Sequence, residues 1–182
     1  YTFLIEGVSR ALLAQITRHR IASFSVQSQR YVSYAAGFNY VVPPAVHALG
    51  PEAEARYESQ MAQMQGWYEE WQRDLGANED ARFVLPNACE TRMLVTMNAR
   101  ELRHFFALRM CRRAQWEIRA LAERMFELCY GQTPELFEDA GAGCLRGPCP
   151  EGEKSCGMAA EIRAERRAFL AAHAKPKTEE TR

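Results

Sequence analysis

The stretch RHRIASFSVQSQRY, residues 18–31, carries the side chains best suited to hold an anion. It begins with three basic residues, continues with hydroxyl and amide groups, adds Arg30, and contains no carboxylate. Guanidinium groups bind phosphate through paired hydrogen bonds, and hydroxyls and amides supply further donors and acceptors. This combination of side chains therefore suits a ligand in which a phosphate is attached to a polar ring. The stretch has no glycine-rich cradle, so it matches neither the P-loop nor the dinucleotide-binding motif.

A second basic segment, residues 91–119, reads TRMLVTMNARELRHFFALRMCRRAQWEIR. Arg92, Arg109 and Arg119 lie beside apolar residues, which implies partial burial, and a partly buried cation is costly unless an acid or an anionic ligand is near. For Arg112 and Arg124 a solvated or ion-paired role is expected. If the fold brings this segment onto the RHR stretch, guanidinium groups line a common pocket.

Positive charge is concentrated in these two segments although the formal net charge is zero. Residues 10–30 contain four arginines and no acid, and residues 92–124 contain eight arginines and three acids. Residues 51–80 contain two arginines and eight acids. The chain has twenty arginines and three lysines, and arginine is the residue favoured where a planar group must bind phosphate or carboxylate.

Length and composition indicate a globular protein. At 182 residues and 47% hydrophobic composition the chain can form one well-buried domain. No apolar run is long enough for a transmembrane helix, and the opening YTFLIEGVSR does not match a secretion signal, so a cytoplasmic protein without membrane contacts is expected. The first residue is Tyr1, within a predicted strand, and we expect a further N-terminal section to precede it.

The periodicity of apolar residues predicts an α+β fold, with helices packed against a mostly antiparallel sheet and with long amphipathic helices. The N-terminal half is predicted to contain a strand over residues 1–9, a helix over 10–20 with RHR at or just past its end, a loop that runs into extended structure, a helix over Pro51–Leu75, and a short helix capped by Asn78 or Asp80. The C-terminal half is predicted to contain a strand over 91–97, a helix capped by Asn98, a second helix closed by Gly131, a glycine- and proline-rich loop, and a solvated charged helix over 161–182. We expect a catalytic domain over residues 1–140, followed by the loop and the helical tail over 141–182.

Three cysteines lie in the glycine-rich loop. Cys144, Cys149 and Cys156 can supply three zinc ligands, with a fourth from Cys129, His173 or an outside group. Their irregular spacing disfavours this hypothesis, and no metal site is predicted. The cysteines are expected to be reduced thiols rather than disulfides.

The two basic segments together resemble a known family. Arg18, His19 and Arg20, followed by the seven residues IASFSVQ and then Ser28, are similar to the signature of the flavin-dependent thymidylate synthases. NARELRHFFALR, at 98–109, and AQWEIR, at 114–119, resemble the second characteristic region of that family. The resemblance covers roughly residues 1–137.

The resemblance implies a reaction and an assembly. Members of the family convert dUMP to dTMP with methylenetetrahydrofolate as the one-carbon donor, FAD as the redox carrier and NADPH as the reductant. They form homotetramers whose active sites combine residues from neighbouring subunits. The family also has an N-terminal section with a histidine-containing flavin motif, which would precede the point where this chain begins.

The resemblance also implies roles for individual residues. Arg119 would activate the uracil ring by stabilising negative charge on the nitrogen between its two carbonyls. The residues implied to bind dUMP are Gln15, Arg18, Ser28, Gln29, Arg30, Arg92 and Arg119, and those implied to contact FAD are Arg18, His19, Arg20, His104 and Arg109. Ser25 and Val26 stand where many relatives have Asn and Glu, which removes a carboxylate that would touch both ligands.

Two other functions fit parts of the sequence. In a noncatalytic nucleic-acid-binding module, the arginines would hold backbone phosphates while Phe24, Tyr31 and Tyr34 stacked on bases. A zinc-stapled interaction protein would use the cysteines of the loop. The enzyme is the leading hypothesis, with no nucleic acid as partner.

Overall fold

The computed structural model describes residues 1–173, and the chain divides into two compact units, Tyr1–Met97 and Asn98–Arg182. The α+β fold class is confirmed, since a three-stranded antiparallel sheet occurs together with several helices. The division of the chain into domains at residue 140 stays a prediction. Within residues 1–173, no helix combines the length and apolar composition needed to cross a membrane.

The sheet of the first unit consists of β1 (Thr2–Ser9), β2 (Ala22–Val26) and β3 (Glu90–Met97), in the order β1-β3-β2. Both pairings are antiparallel. Along β3 the residues alternate between buried and exposed, as expected for a strand with one side against a core. Met93, Val95 and Met97 are therefore buried, while Arg92 faces outward.

An irregularity in β1 keeps its apolar residues on the core side. The register with β3 shifts between Ile5 and Val8, and Gly7 within this interval has φ of 69°. In a regular strand, two residues separated by an odd number of positions point to opposite faces. One extra residue in the strand brings the second side chain back to the face of the first. Ile5 and Val8 are consequently both buried.

Helix α1 (Arg10–Ile16) follows β1 directly. Ser9 caps it, since the Ser9 hydroxyl oxygen accepts a hydrogen bond from the Leu12 N–H at 3.0 Å. The RHR triplet lies just past its end, as predicted. The predicted order of loop and then strand is wrong, because β2 begins at Ala22 and the turns come after it. Serines fill its exposed positions and give the strand the composition of a loop.

The first unit also contains α2 (Pro44–Ala48), α3 (Pro51–Leu75), α4 (Asn78–Ala81) and a short 3-10 turn at Arg82–Val84. The bounds predicted for the long helix α3 are confirmed. Its buried side chains join a core cluster with residues of the 34–40 segment and of the start of β3. The buried members of this cluster are Tyr34, Phe38, Met61, Tyr68, Ala81 and Cys89.

The predicted cap of α4 is wrong. Ala77 occupies the cap position without a side-chain hydrogen bond, and Asn78 is the first helical residue. The Asn78 amide oxygen instead accepts hydrogen bonds from the Tyr68 hydroxyl at 3.3 Å and from the Gln72 amide at 2.6 Å. A tertiary contact with α3 has thus taken the place of a local cap.

The second unit contains α5 (Ala99–Arg109), α6 (Trp116–Gln132), α7 (Pro134–Phe137) and α8 (Ala159–Ala172), with 3-10 turns at Gly143–Leu145 and Gly152–Lys154. The capping role of Asn98 is confirmed, because its amide oxygen accepts from the Glu101 N–H at 2.9 Å. Gly131 does not close α6, which continues to Gln132. Gly131 does not have the positive φ that a glycine C-cap uses.

The helix α8 is not a fully solvated helix as predicted. Its Ile162 is buried, and the Arg166 guanidinium lies over the Phe126 ring at 3.8 Å from the ring centre. A side chain at Gly141 would lie 2.5 Å from the Arg166 guanidinium, so the arginine would have to shift, and the φ of 137° at this position also favours glycine. Burial lowers the pKa of Arg166 from its ordinary value. The end of the predicted helix, 174–182, lies outside the described residues.

We expect Tyr68→Phe to destabilise the protein. Tyr68 is fully buried, and its hydroxyl accepts a hydrogen bond from the Tyr34 N–H at 3.3 Å. Removing the hydroxyl leaves that buried N–H unpaired, which costs about 1–2 kcal/mol of unfolding free energy. Chemical denaturation measures the change. Tyr31→Phe is the matched control, because Tyr31 is 79% exposed, and an equal loss in both variants would contradict the prediction.

The ion pair between Arg103 and Asp139 should make stability depend on pH. Both Asp139 oxygens accept from Arg103, at 2.6 and 2.7 Å, and this lowers the pKa of the carboxyl. A lowered folded-state pKa contributes stability above the unfolded value, about 4, and loses it as the pH falls through the folded value. Asp139→Asn should cost about 0.5 kcal/mol at pH 7, since the pair is largely exposed. The difference between the denaturation curves should shrink as the pH is lowered below about 4, and a difference that is the same at every pH would refute this reading.

Candidate active site

A polar cavity of about 290 Å³ lies in the first unit, where β2 ends and β3 begins. Val26 pairs with Met93, and the Gln27 N–H donates to the Arg92 carbonyl at 3.0 Å. The segment 27–34 therefore leaves the sheet directly beside Arg92. The residues that line the cavity are Glu6, Gln27, Tyr34, Gly37, Asn39, Glu90, Thr91 and Arg92.

The Arg92 guanidinium is available to a ligand in this cavity. Its side chain is 62% exposed, and its Nη1 lies 3.9 Å from the Glu6 carboxylate. A long, solvated ion pair of this kind contributes little free energy, so an anion that accepts two hydrogen bonds can displace it. The amides of Gln27 and Asn39 can add donors and acceptors for a polar ring.

The three residues that follow Gln27 have different environments. Ser28 forms a turn in which its hydroxyl oxygen accepts from the Arg30 N–H at 3.2 Å. Gln29 is 8% exposed and directs its amide inward, 3.6 Å from the Cys89 sulfur. Arg30 is exposed and pairs with Glu79 at 2.8 Å, which raises the pKa of the guanidinium. Ser28 and Arg30 are accessible to a ligand, whereas Gln29 supports the loop from below.

Burial also perturbs the groups beneath this loop. The pKa of the Cys89 thiol is raised by burial, and the hydrogen bond from Gln29 opposes that shift. The pKa of Tyr34 is raised for the same reason. Cys89 and Tyr34 are therefore neutral at pH 7, and they act as packing residues under the polar segment.

The RHR triplet lies at the other end of β2. His19 is 4% exposed, while Arg18 and Arg20 are exposed. The four residue steps from Ala22 to Val26 span about 13 Å in an extended strand. Gln15 lies on α1, where its amide donates to the Ala11 carbonyl at 3.3 Å. Within one chain, the triplet and the Ser28–Arg30 turn are thus two separate groups of predicted ligand-binding residues.

Arg119 belongs to α6 of the second unit. Its Nη1 donates to the Arg112 carbonyl at 3.3 Å, and its Nε lies 3.9 Å from a Glu123 oxygen. Its side chain is 26% exposed. The ion pairing predicted for Arg112 and Arg124 is confirmed by contacts with Glu165 at 2.6 Å and with Glu127 at 2.8 Å. Arg119 is therefore held by weak contacts and keeps donors for a ligand.

The structure groups the predicted site residues into three sets. Arg92 and the segment 27–34 share the polar end of the sheet, and the RHR triplet with Gln15 lies toward the opposite end of β2. His104 and Arg109 lie on α5 and Arg119 on α6, all in the second unit. The meeting of these sets at one ligand stays a prediction.

Sequence reasoning missed several residues of the cavity, including Glu6 and Asn39. Glu6 and Asn39 line it beside Arg92. An acid within the apolar β1 is a local signal that can mark Glu6 as outward-facing. Asn39 has no such signal, because only the folding of the 34–40 segment against the start of β3 brings it there.

The sequence is similar to those of known proteins. The sequence model described as "Thymidylate synthase complementing protein" matches residues 1–135. A flavin-dependent thymidylate synthase of Geobacter sulfurreducens is 56% identical over 164 residues, which cover 90% of this chain and 70% of that protein. One of Clostridium tetani is 46% identical and covers 90% of this chain and 71% of its own length.

A solved structure is also similar. The crystal structure of thymidylate synthase X from Helicobacter pylori, with FAD and dUMP, aligns with a TM-score of 0.57 and 27% identity. The alignment covers 76% of this chain and 71% of that one. The family match includes the RHR triplet, Ser28 and the AQWEIR segment. The resemblance predicted from those residues is confirmed, and the chain belongs to the thymidylate synthase complementing protein family.

Proposed function

We propose that this chain is a subunit of a flavin-dependent thymidylate synthase, which converts dUMP to dTMP. The observation that carries the proposal is 56% identity across 90% of the chain with a protein of that name. The Helicobacter pylori structure with FAD and dUMP supports the same ligands here. Methylenetetrahydrofolate as the one-carbon donor and NADPH as the reductant belong to the proposal.

Arg18, His19 and Arg20, together with His104 and Arg109, are the proposed FAD contacts. The donor set fits an anionic dinucleotide, because Arg18 and Arg20 are exposed guanidiniums at the end of α1 and can bind a pyrophosphate. FAD, when bound, supplies the hydride chemistry that no protein side chain can provide. The buried position of His19 fixes the backbone between the two arginines.

The proposed dUMP contacts are Arg92, Ser28 and Arg30, with Gln15 and Arg18, while the buried Gln29 supports the loop that carries Ser28 and Arg30. Arg30 is paired with Glu79 at 2.8 Å, and such a solvent-exposed pair contributes little free energy. A phosphate offers paired acceptor oxygens and more charge, so it competes well for this guanidinium. Ser28 is a binding residue in this proposal, and no covalent bond to it is required.

Arg119 is the proposed catalytic residue. A guanidinium stays protonated at all working pH values, so it can donate to the uracil nitrogen as negative charge develops there. The long contacts to the Arg112 carbonyl and to Glu123 hold the side chain without saturating its donors. The residue thus supplies stabilisation that is stronger for the developing anion than for neutral uracil.

A homotetramer with shared active sites accounts for the separation of the predicted contacts. The two ends of β2 lie about 13 Å apart, so the RHR triplet and the Ser28–Arg30 turn of one chain cannot both hold the same phosphate. Residues from neighbouring chains can complete each site. A cytoplasmic location is also proposed, and it is supported by six free thiols among the described residues.

The nucleic-acid alternative is weakened by the structure. Tyr34, which would stack on a base, is buried, with its ring 6.1 Å from that of Tyr68. Phe24 is half-buried on β2, and of the three aromatic residues Tyr31 alone is fully accessible. A single exposed ring does not form the stacking platform that such a module needs.

The reaction is tested by measuring dTMP formed from dUMP with methylenetetrahydrofolate, NADPH and FAD. The unaltered protein should form dTMP, and Arg119→Ala should lower turnover by about 100-fold or more, because a donor to the developing anion is lost. Arg124→Ala is the matched control, since Arg124 lies on the same helix and is 69% exposed. Circular dichroism should show both variants folded. Normal turnover in Arg119→Ala would remove this residue from the mechanism, and no dTMP from the unaltered protein would refute the function.

Binding of dUMP is tested separately at Arg92. Arg92→Ala should raise the KM for dUMP about tenfold or more, since a charge-assisted hydrogen bond to the ligand is removed. Turnover at saturating dUMP should change less. Arg56→Ala is the control, because Arg56 is an exposed arginine on α3 of the same unit. Equal KM values in Arg92→Ala and Arg56→Ala would contradict a role for Arg92 in dUMP binding.

A further inference from the structure

Four cysteines line one cavity of about 90 Å³ in the second unit: Cys111, Cys144, Cys149 and Cys156. Cys111 follows the end of α5, and the other three lie on the glycine- and proline-rich loop before α8. Cys144 is buried, and the remaining three are partly buried. The structure thus gathers residues that are separated by up to 45 positions in the sequence.

The fourth cysteine is not the one that the sequence suggested. Cys129 is buried on α6 and does not line the cavity. His173 stacks on Phe169, with ring centres 4.1 Å apart, and also lies away from it. Cys111 takes the place of both, and it completes a set of four sulfur ligands without an outside group.

The four thiols lie within electrostatic range of one another. The pKa of Cys144 is raised first by burial, then by Cys149, and to a lesser extent by Cys111 and Cys156. All four are free thiols rather than disulfides. Arg113 lines the same cavity, so a positive side chain is present beside a group of sulfurs that would be negative as thiolates.

The loop that carries three of the cysteines is held in a defined shape. The Arg163 guanidinium donates to the Cys144 carbonyl at 2.9 Å and to the Gly147 carbonyl at 2.6 Å. A side chain at Gly143 would lie 2.9 Å from Pro150, so the two sides of the loop are in close contact. The cysteine positions are consequently fixed by the backbone.

The loop has a small apolar core. Its fully buried members are Ala142, Cys144 and Ile162, and partly buried groups that include Cys149 and Cys156 pack against them. Apart from two short 3-10 turns the loop has no regular structure, and loops of this length are uncommon in compact domains unless they serve a function. Small segments of this kind are commonly stabilised by a disulfide or a metal centre, and four free thiols at one cavity can supply the ligands of a metal centre.

The spread of the sulfurs distinguishes between metal centres. Zinc with four thiolates has Zn–S bonds of about 2.3 Å, which places the sulfurs about 3.8 Å apart. Among the described residues, no three of the cysteine sulfurs lie within 4.8 Å of one another. In a [4Fe–4S] cluster held by four cysteines, each thiolate binds a different iron atom, so the cysteine sulfurs are further apart than around a single zinc ion.

We infer that Cys111, Cys144, Cys149 and Cys156 bind a [4Fe–4S] cluster that fastens the loop to the end of α5. The cluster is bound by thiolate–iron bonds and takes no part in the dUMP reaction proposed above. Its positive iron atoms offset the charge of the four thiolates, and Arg113 adds to this. The inference rests on the second unit alone, so it stands independently of the proposed function.

The test is metal analysis of the full chain purified under anaerobic conditions and reconstituted with ferric iron, sulfide and a thiol reductant, which reduces part of the iron. Iron and acid-labile sulfide should each reach about four per chain. FAD must be released and quantified separately, since its visible absorption overlaps that of the cluster. Cys→Ser substitution at each of the four positions should lower iron and sulfide together. Cys129→Ala is the control, because it removes a buried cysteine outside the cavity.

Each outcome decides the inference. Loss of iron and sulfide in the four variants, with retention in Cys129→Ala, supports it. One zinc per chain that depends on the same four cysteines would overturn the cluster while keeping the four-thiolate site. An unaltered chain that folds, binds neither metal after reconstitution, and shows all four thiols reactive would overturn the site. A folded, metal-free protein that still forms dTMP would overturn the cluster and leave the proposed function supported.

Discussion

The pairing of β3 with both β1 and β2 is the interaction on which the first unit depends. Because β3 is central, both of its edges are hydrogen-bonded, and its alternation sends Met93 and Val95 into the core while Arg92 faces solvent. The same hydrogen bonds set where β2 begins and ends. They therefore place the RHR triplet at one end of the sheet and the Ser28–Arg30 turn at the other.

Much of this fold follows from local sequence, and the errors occur where distant contacts replace local ones. The periodicity of α3 and the Asn98 cap predicted those elements because each is determined by residues within a few positions. Asn78 has the composition of a cap, yet its amide is bound by Tyr68 and Gln72 of α3. Arg166 belongs to a helix of charged composition, yet it packs on Phe126. No local pattern contains either contact.

In the candidate site, too, the features set by local sequence could be predicted and those set by distant contacts could not. The chemistry of the site could be predicted because its arginines lie in two short segments of the sequence. The family resemblance followed from the same two segments. Residues that folding brings to the cavity from elsewhere in the chain, such as Asn39, could not be predicted, and neither could Cys111 at the separate cysteine cavity. Thirty-three positions separate Cys111 from Cys144, and no spacing rule links them until α5 and the loop before α8 are folded. Sequence reasoning thus identifies ligand types better than it identifies complete ligand sets.

The length of β2 has a consequence for how this chain can vary. An insertion or deletion of one residue would turn Phe24 and its neighbours to the opposite face, so the core tolerates only changes of two residues. A change of two residues would move one anion-binding end relative to the other by about 6–7 Å. In the proposed assembly, the two ends of β2 could then no longer reach ligands that neighbouring subunits position. The proposed ligands, rather than the sheet, would therefore set the number of residues in this strand.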